Sequence, residues 1–112
     1  MGINGKELKE LFIEIKYNNK IAFEKLYNKY NKLVYGIAFS ILKNEQEAEE
    51  IVQNTFLKIY QLNKEKLPSS NEASWLYSIT KNEALILLRK KKIEINIDKV
   101  YDIKCEDTNL KK

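Results

Sequence analysis

Histidine is missing from the sequence altogether, and cysteine (Cys105) and proline (Pro68) occur once each, with three glycines in 112 residues. Without histidine, the commonest acid–base group and metal ligand is unavailable. Cys105 has no imidazole to activate it and no second thiol to pair with. An internal disulfide is therefore excluded, thiol catalysis is poorly supported, and a lone thiol fits a reducing cytosol. No glycine-rich phosphate loop is present. Carboxylates are plentiful, but they fall on helix surfaces, where solvated Glu is the ordinary state. The expectation is a protein that is not an enzyme, holds no metal and needs no cofactor. Scarce Gly and Pro leave little material for hairpin turns, which favours helices. No apolar run approaches the roughly 18 residues of a membrane span and no signal peptide opens the chain, so a cytoplasmic protein with no membrane insertion is expected.

What is present fits one soluble domain. Hydrophobic residues make up 44% and charged residues 32%, and seven Tyr with four Phe supply large core pieces. A chain of this length is large enough to bury about two-thirds of its unfolded surface. A formal net charge of +4 and a pI near 9.0 permit nucleic-acid binding without requiring it.

Helical periodicity organises most of the chain. Over residues 5–17, Leu8, Leu11, Phe12 and Ile15 have the i, i+3, i+4, i+7 spacing of a short amphipathic helix, and Asn18-Asn19 then makes a break. From Ile21 to Leu42 the apolar stripe runs Phe23, Leu26, Tyr27, Tyr30, Leu33, Val34, Ile37, Ala38 and Ile41, all read as core. Gly36 inside that stripe weakens the helix slightly and suggests close packing with a neighbour. Asn44 with Glu47 three residues on has the capping-box spacing, and a third helix follows to about Gln61. Its buried stripe is Ala48, Ile51, Val52, Thr55, Phe56 and Ile59, while Glu49, Gln53, Asn54 and Lys58 form a continuous polar face suited to a basic partner helix. Residues 61–72 carry no helical stripe and contain Pro68-Ser69-Ser70-Asn71, so they read as a loop.

The stretch from Ala73 to Lys92 reads as a helix of about five turns. At 100° per residue, Leu76, Thr80, Ala84, Leu87 and Leu88 share one side as a packed face. Trp75, Ser78, Asn82 and Arg89 fall opposite, and aromatic, hydroxyl, amide and guanidinium groups suit base stacking, base edges and phosphates. Lys81, Arg89, Lys90, Lys91 and Lys92 against Glu83 leave Tyr77 to Lys92 at net +4, concentrated at the C-terminal end. There the charge complements the helix dipole and also attracts a polyanion. Taken alone, this stretch is better read as a core helix with a solvated lysine-rich end; the rest of the chain shifts that balance. Beyond Lys92, Ile93, Ile95 and Ile97 alternate with polar residues, which permits a short strand, and residues 98–112 read as an extended or disordered tail.

In order along the chain, Ala22–Tyr30, Glu47–Tyr60 and Ala73–Arg89 resemble three segments of region 2 of the extracytoplasmic-function (ECF) sigma factors of bacterial RNA polymerase. The resemblance covers roughly residues 8–92, and Trp75-Leu76-Tyr77 with Asn82 carry most of its specificity. It implies an all-α fold, a compact bundle of about four helices over residues 1–92, with residues 93–112 as a linker. It also implies a transcription initiation factor that binds polymerase core and recognises and melts the single-stranded minus-ten promoter element. By position, Glu49, Glu50, Gln53 and Asn54 would contact the basic coiled coil of the β′ subunit, with Phe56 bracing the helix from below. Leu67, Ser69, Ser70 and Asn71 with Asn82 would hold a flipped base. Trp75, Ser78 and Lys81 would lie along the strand, with Arg89, Lys90, Lys91 and Lys92 near phosphates. An anti-sigma factor is a further implied partner.

Some positions depart from the family pattern. Leu67 stands where an aromatic is common, Asn54 where an acid is frequent, and Ile86 where Asp or Asn is frequent. The family normally adds a second helical domain that reads the minus-thirty-five element, and residues 93–112 do not supply it; a truncated protein is the expectation. The alternative is an interaction module that binds an anti-sigma factor or polymerase without reading DNA.

Overall fold

The computed structural model describes the backbone of residues 5–103 and the side chains of residues 5–93. Four α-helices follow one another: α1 (Gly5–Lys16), α2 (Lys20–Leu42), α3 (Glu45–Gln61) and α4 (Glu72–Ile103), with a 3-10 turn at Lys64–Lys66 between the last two. Among the described residues there is no strand. The all-α bundle is the architecture that the periodicity and the resemblance imply.

Each boundary has a local cause. At the end of α1, Asn18 takes a left-handed φ of 65°, which Asn tolerates better than most residues. Its N–H donates to Ile15 O, and that of Asn19 to Glu14 O, closing the orphan carbonyls of the last turn. Asn19 then caps α2, its Oδ1 accepting from Ala22 N at 3.1 Å. Asn44 caps α3 in the same way, accepting from Glu47 N at 2.8 Å. The Glu47 carboxylate turns to Lys91 on α4, at 2.8 Å.

The predicted stripes are the buried ones. Leu8, Leu11 and Phe12 of α1 meet Leu26, Tyr30 and Val34 of α2, Val52, Phe56 and Ile59 of α3, and Leu76 and Ile79 of α4 in one cluster. A second cluster joins Ala38, Leu42, Ala48, Ile51 and Ala84 nearer the other end of the bundle. All six stripe residues of α3 are buried, which forces Glu49, Glu50, Gln53 and Asn54 to the surface. On α2 the sequence stripe is broader than the core. Tyr27 is 39% exposed, and Ala22 and Leu42 are buried outside the predicted set. Gly36 is a correction: it is exposed, and a Cβ built there meets nothing within 4 Å, so no neighbour packs closely against it.

The last helix is longer than its amphipathic pattern. Its backbone continues through Ile103, so Ile93, Ile95 and Ile97 belong to a helix and not to a strand. Alternation over five residues without a partner strand gives a sheet nothing to pair with, whereas helix propagation adds one hydrogen bond per residue and meets no Gly or Pro before Ile103. The remainder of the expected tail, 104–112, lies outside the described residues. Among the described residues no helix is long and apolar enough to cross a membrane.

Candidate functional site

Two surfaces carry the predicted site residues, on α3 and on α4. Two ion pairs join these helices near the two ends of α3: Lys58 to Glu83 and Lys91 to Glu47, each at 2.8 Å. Both pairs are partly exposed, so each contributes at most about 1 kcal/mol. The register of α3 against α4 comes from their shared core clusters, and the ion pairs flank that packing.

On α3, Glu49, Glu50, Gln53 and Asn54 are all exposed. Beneath them Phe56 is 3% exposed, with the ring of Tyr27 edge-on at 5.0 Å and that of Phe23 at 6.5 Å. These aromatic contacts hold the helix from α2, so its polar face is presented on a rigid support. Tyr35 of α2 lies close enough to Glu45 and Glu49 for their charge, after desolvation, to push its phenol pKa upward.

On α4, Ser78, Lys81, Asn82, Arg89, Lys90 and Lys92 are exposed. Lys81 sits over the Tyr77 ring, 5.9 Å from its centroid. The packed side is Leu76, Thr80 and Ala84, all fully buried, with the Thr80 hydroxyl donating to Leu76 O at 2.8 Å. Ile86, 42% exposed, adds an apolar step to the outward ridge.

Three residues are engaged in ways the sequence did not indicate. Trp75 is half-buried and meets the Phe12 ring edge-on at 5.5 Å, so much of the indole serves the core. Lys91 is engaged by Glu47, unlike its neighbours Arg89 and Lys90, which are exposed. Leu67 is 5% exposed and packs in the main core cluster. An aliphatic residue after a 3-10 turn is apolar enough to be drawn into the nearest core, and periodicity does not report this within a loop.

The loop itself is tied to α1. Lys9 Nζ donates to Ser69 O at 2.9 Å, Lys16 Nζ to Ser69 Oγ at 2.8 Å, and Lys9 also lies 3.7 Å from Glu72. Glu72 is buried at the first turn of α4, where the helix dipole favours its charge. Ser70 and Asn71 are exposed, and Asn71 takes a φ of 52° while its carbonyl accepts from Trp75 N at 3.0 Å. Asn82 lies ten residues beyond Glu72, about 15 Å along the helix axis.

Among the described residues no cluster of acidic, thiol or imidazole side chains could hold a metal.

Comparison with known proteins agrees with the order of these elements. A family model described as sigma-70 region 2 matches residues 26–93, more than half of the chain. Over 92 residues the chain is 29% identical to the ECF RNA polymerase sigma factor SigW of Bacillus subtilis (strain 168), covering 81% of this chain and 49% of that protein. Over 77 residues it is 27% identical to the ECF RNA polymerase sigma factor SigM of the same organism, covering 69% of this chain and 47% of that protein. The chain thus spans about half the length of these relatives. No solved structure matches it. The matched segment takes in most of α2, all of α3 and the outward ridge of α4, and the chain belongs to the sigma-70 region 2 family.

Proposed function

We propose that this domain acts in transcription initiation, docking on RNA polymerase core through α3 and recognising and opening the minus-ten promoter element through α4 and the preceding loop. The observation that carries the reading is the pair of exposed polar faces on two packed helices bridged by two ion pairs, within a chain that matches sigma-70 region 2. Glu49, Glu50, Gln53 and Asn54 form an acidic, amide-bearing surface that suits a basic coiled coil such as that of β′, through electrostatic steering and charge-assisted hydrogen bonds. Ser78 and Asn82 offer a hydroxyl and an amide to unpaired base edges, and Arg89, Lys90 and Lys92 offer charge to phosphates. The half-buried Trp75 stiffens the start of the ridge and offers its remaining surface to a base. Ser70 and Asn71 meet the strand at the loop, whereas Leu67 supports the loop from within. Polymerase supplies the catalysis, and the domain needs no cofactor. A controlling anti-sigma factor would be expected to cover the same two faces.

Few exposed cations line the ridge, so free DNA is bound weakly, and single-stranded minus-ten DNA is held once polymerase fixes the geometry. The test is Asn82→Ala, an exposed position whose truncation leaves the fold intact. Transcription by the reconstituted holoenzyme should lose its preference between the cognate minus-ten sequence and single-base variants. Unchanged preference would remove Asn82 from base recognition. The exposed Ile86 on the ridge favours a second reading, an interaction module that binds polymerase or an anti-sigma factor without reading DNA. That reading predicts polymerase binding with no effect of Asn82→Ala on any promoter.

A further inference from the structure

The geometry points to a docking surface that extends beyond the outer face of α3 into the groove between α2 and α3, and there accepts an apolar side chain flanked by carboxylates from the polymerase element that docks on α3. This rests on the proposed polymerase contact and adds to it a second, oppositely charged end.

One cleft opens in the α2–α3 groove, and a second lies at the end of that groove, walled also by α1, the Asn18-Asn19 turn and the loop after α3. The first, of about 290 Å³, is bordered by Tyr27 and Tyr35 of α2 and by Glu49 and Gln53 of α3, with Lys32 across from the acid. The second, about 390 Å³, has a floor of Ile15, Phe23, Ile59, Leu62 and Leu67, and its rim carries Lys20 and Lys64. A ladder of rings joins them. Tyr60 meets Phe23 at 5.2 Å, Phe23 meets Phe56 at 6.5 Å, and Phe56 meets Tyr27 at 5.0 Å. Tyr60 is 61% exposed and Tyr27 39%, whereas Phe23 is half-buried and Phe56 is buried.

Position on α3 makes the groove continuous with the proposed contact. Glu49, Gln53 and Tyr60 lie within about 40° of one another around the helix, so a partner element following Glu49 and Gln53 arrives at Tyr60 about two turns further on. Its surroundings change on the way. Glu49 borders the first cleft, whereas among the described residues no carboxylate lines the second. Lys20 is the first residue of α2, whose first turn contains no acid, so its ammonium adds to the positive end of the helix dipole. Lys64 is held across the cleft mouth by the Asn18 side chain, and an ammonium with three donors keeps capacity for a further acceptor. A partner segment with basic residues over Glu49 and acidic residues over Lys20 and Lys64, separated by a large apolar side chain, satisfies both ends. The reversed segment sets like charges against each other at both ends. The groove therefore fixes the direction in which the partner lies.

The experiment is equilibrium binding of the fluorescently labelled full chain to Bacillus subtilis core RNA polymerase at two salt concentrations. Four variants run beside the wild type: Lys20→Glu, which leaves the Lys64–Asn18 contact in place, the double variant Lys20→Glu/Lys64→Glu, Tyr60→Ala, and Glu49→Arg/Gln53→Arg. Circular dichroism establishes that each is folded. The double lysine variant and Tyr60→Ala should each weaken binding by about tenfold, with Lys20→Glu intermediate and the lysine effects shrinking at high salt. If these three bind within twofold of wild type while Glu49→Arg/Gln53→Arg loses binding, the groove is overturned and the α3 contact stands. If all four bind as wild type does, or wild type itself fails to bind, the α3 contact and the groove fall together.

Discussion

Replacing Thr55 with valine should make the domain more stable, although Thr55 sits among the predicted core residues of α3. Its side chain is fully buried, and among the described residues Oγ1 has no hydrogen-bond partner. A buried hydroxyl left unsatisfied costs about 1–3 kcal/mol by mutational measures. Valine keeps the volume and the β-branch, so neither a cavity nor a change in helix propensity offsets the gain. A net stabilisation of about 1–2 kcal/mol follows, and each kcal/mol is worth about 4–8 °C in melting temperature for a domain near this size. Thr80 is the internal control. It is equally buried on α4, but its hydroxyl donates to Leu76 O at 2.8 Å, so Thr80→Val should be neutral or lose about 1 kcal/mol. Thermal and urea denaturation of both variants, followed by circular dichroism, gives the comparison. A Thr55→Val protein that melts no higher than wild type, or no higher than Thr80→Val, would show that the Thr55 hydroxyl has a partner and would refute the reasoning.

Gly36→Ala should stabilise the domain by about 0.5–1 kcal/mol, since the position is exposed mid-helix and the added Cβ meets open space; an unchanged or lowered urea midpoint would contradict this. Lys91→Ala should leave the salt dependence of single-stranded DNA binding by the polymerase complex nearly unchanged, because Glu47 already engages that ammonium. Lys90→Ala or Arg89→Ala should each lower the log–log salt slope by about 0.7. Equal slopes for Lys91→Ala and Lys90→Ala would mean that the Glu47 contact gives way to phosphate.

Helix number, helix faces and the α3 cap were legible in the sequence because each rests on short-range spacing. The stripe Ala48–Ile59 is buried as read, and the exposure of Glu49, Glu50, Gln53 and Asn54 follows from that burial by helical geometry alone. What escaped depends on contacts between distant residues. Charge at Lys91 is visible in the sequence, but the carboxylate that meets it lies 44 residues earlier. Trp75 falls on the polar side by angle and is still drawn against Phe12 of α1, since an indole is wide enough to reach the core from the edge of a face. Leu67 and Ser69 belong to a loop without periodicity, and only the packing of α1 against it shows one buried and the other bound by Lys9 and Lys16. The far end of α4 lacks an amphipathic face, so its continuation to Ile103 left no stripe to read.

The central claim, that α3 is a polymerase-docking helix, is tested most directly by a pull-down of this chain on the isolated β′ coiled coil, with Glu49→Arg/Gln53→Arg alongside. Both positions are exposed, so the variant should fold normally by circular dichroism. Capture of the wild type and loss of capture by the variant is the predicted result. Folded wild type that the coiled coil does not retain, or a variant retained equally well, would contradict the docking assignment.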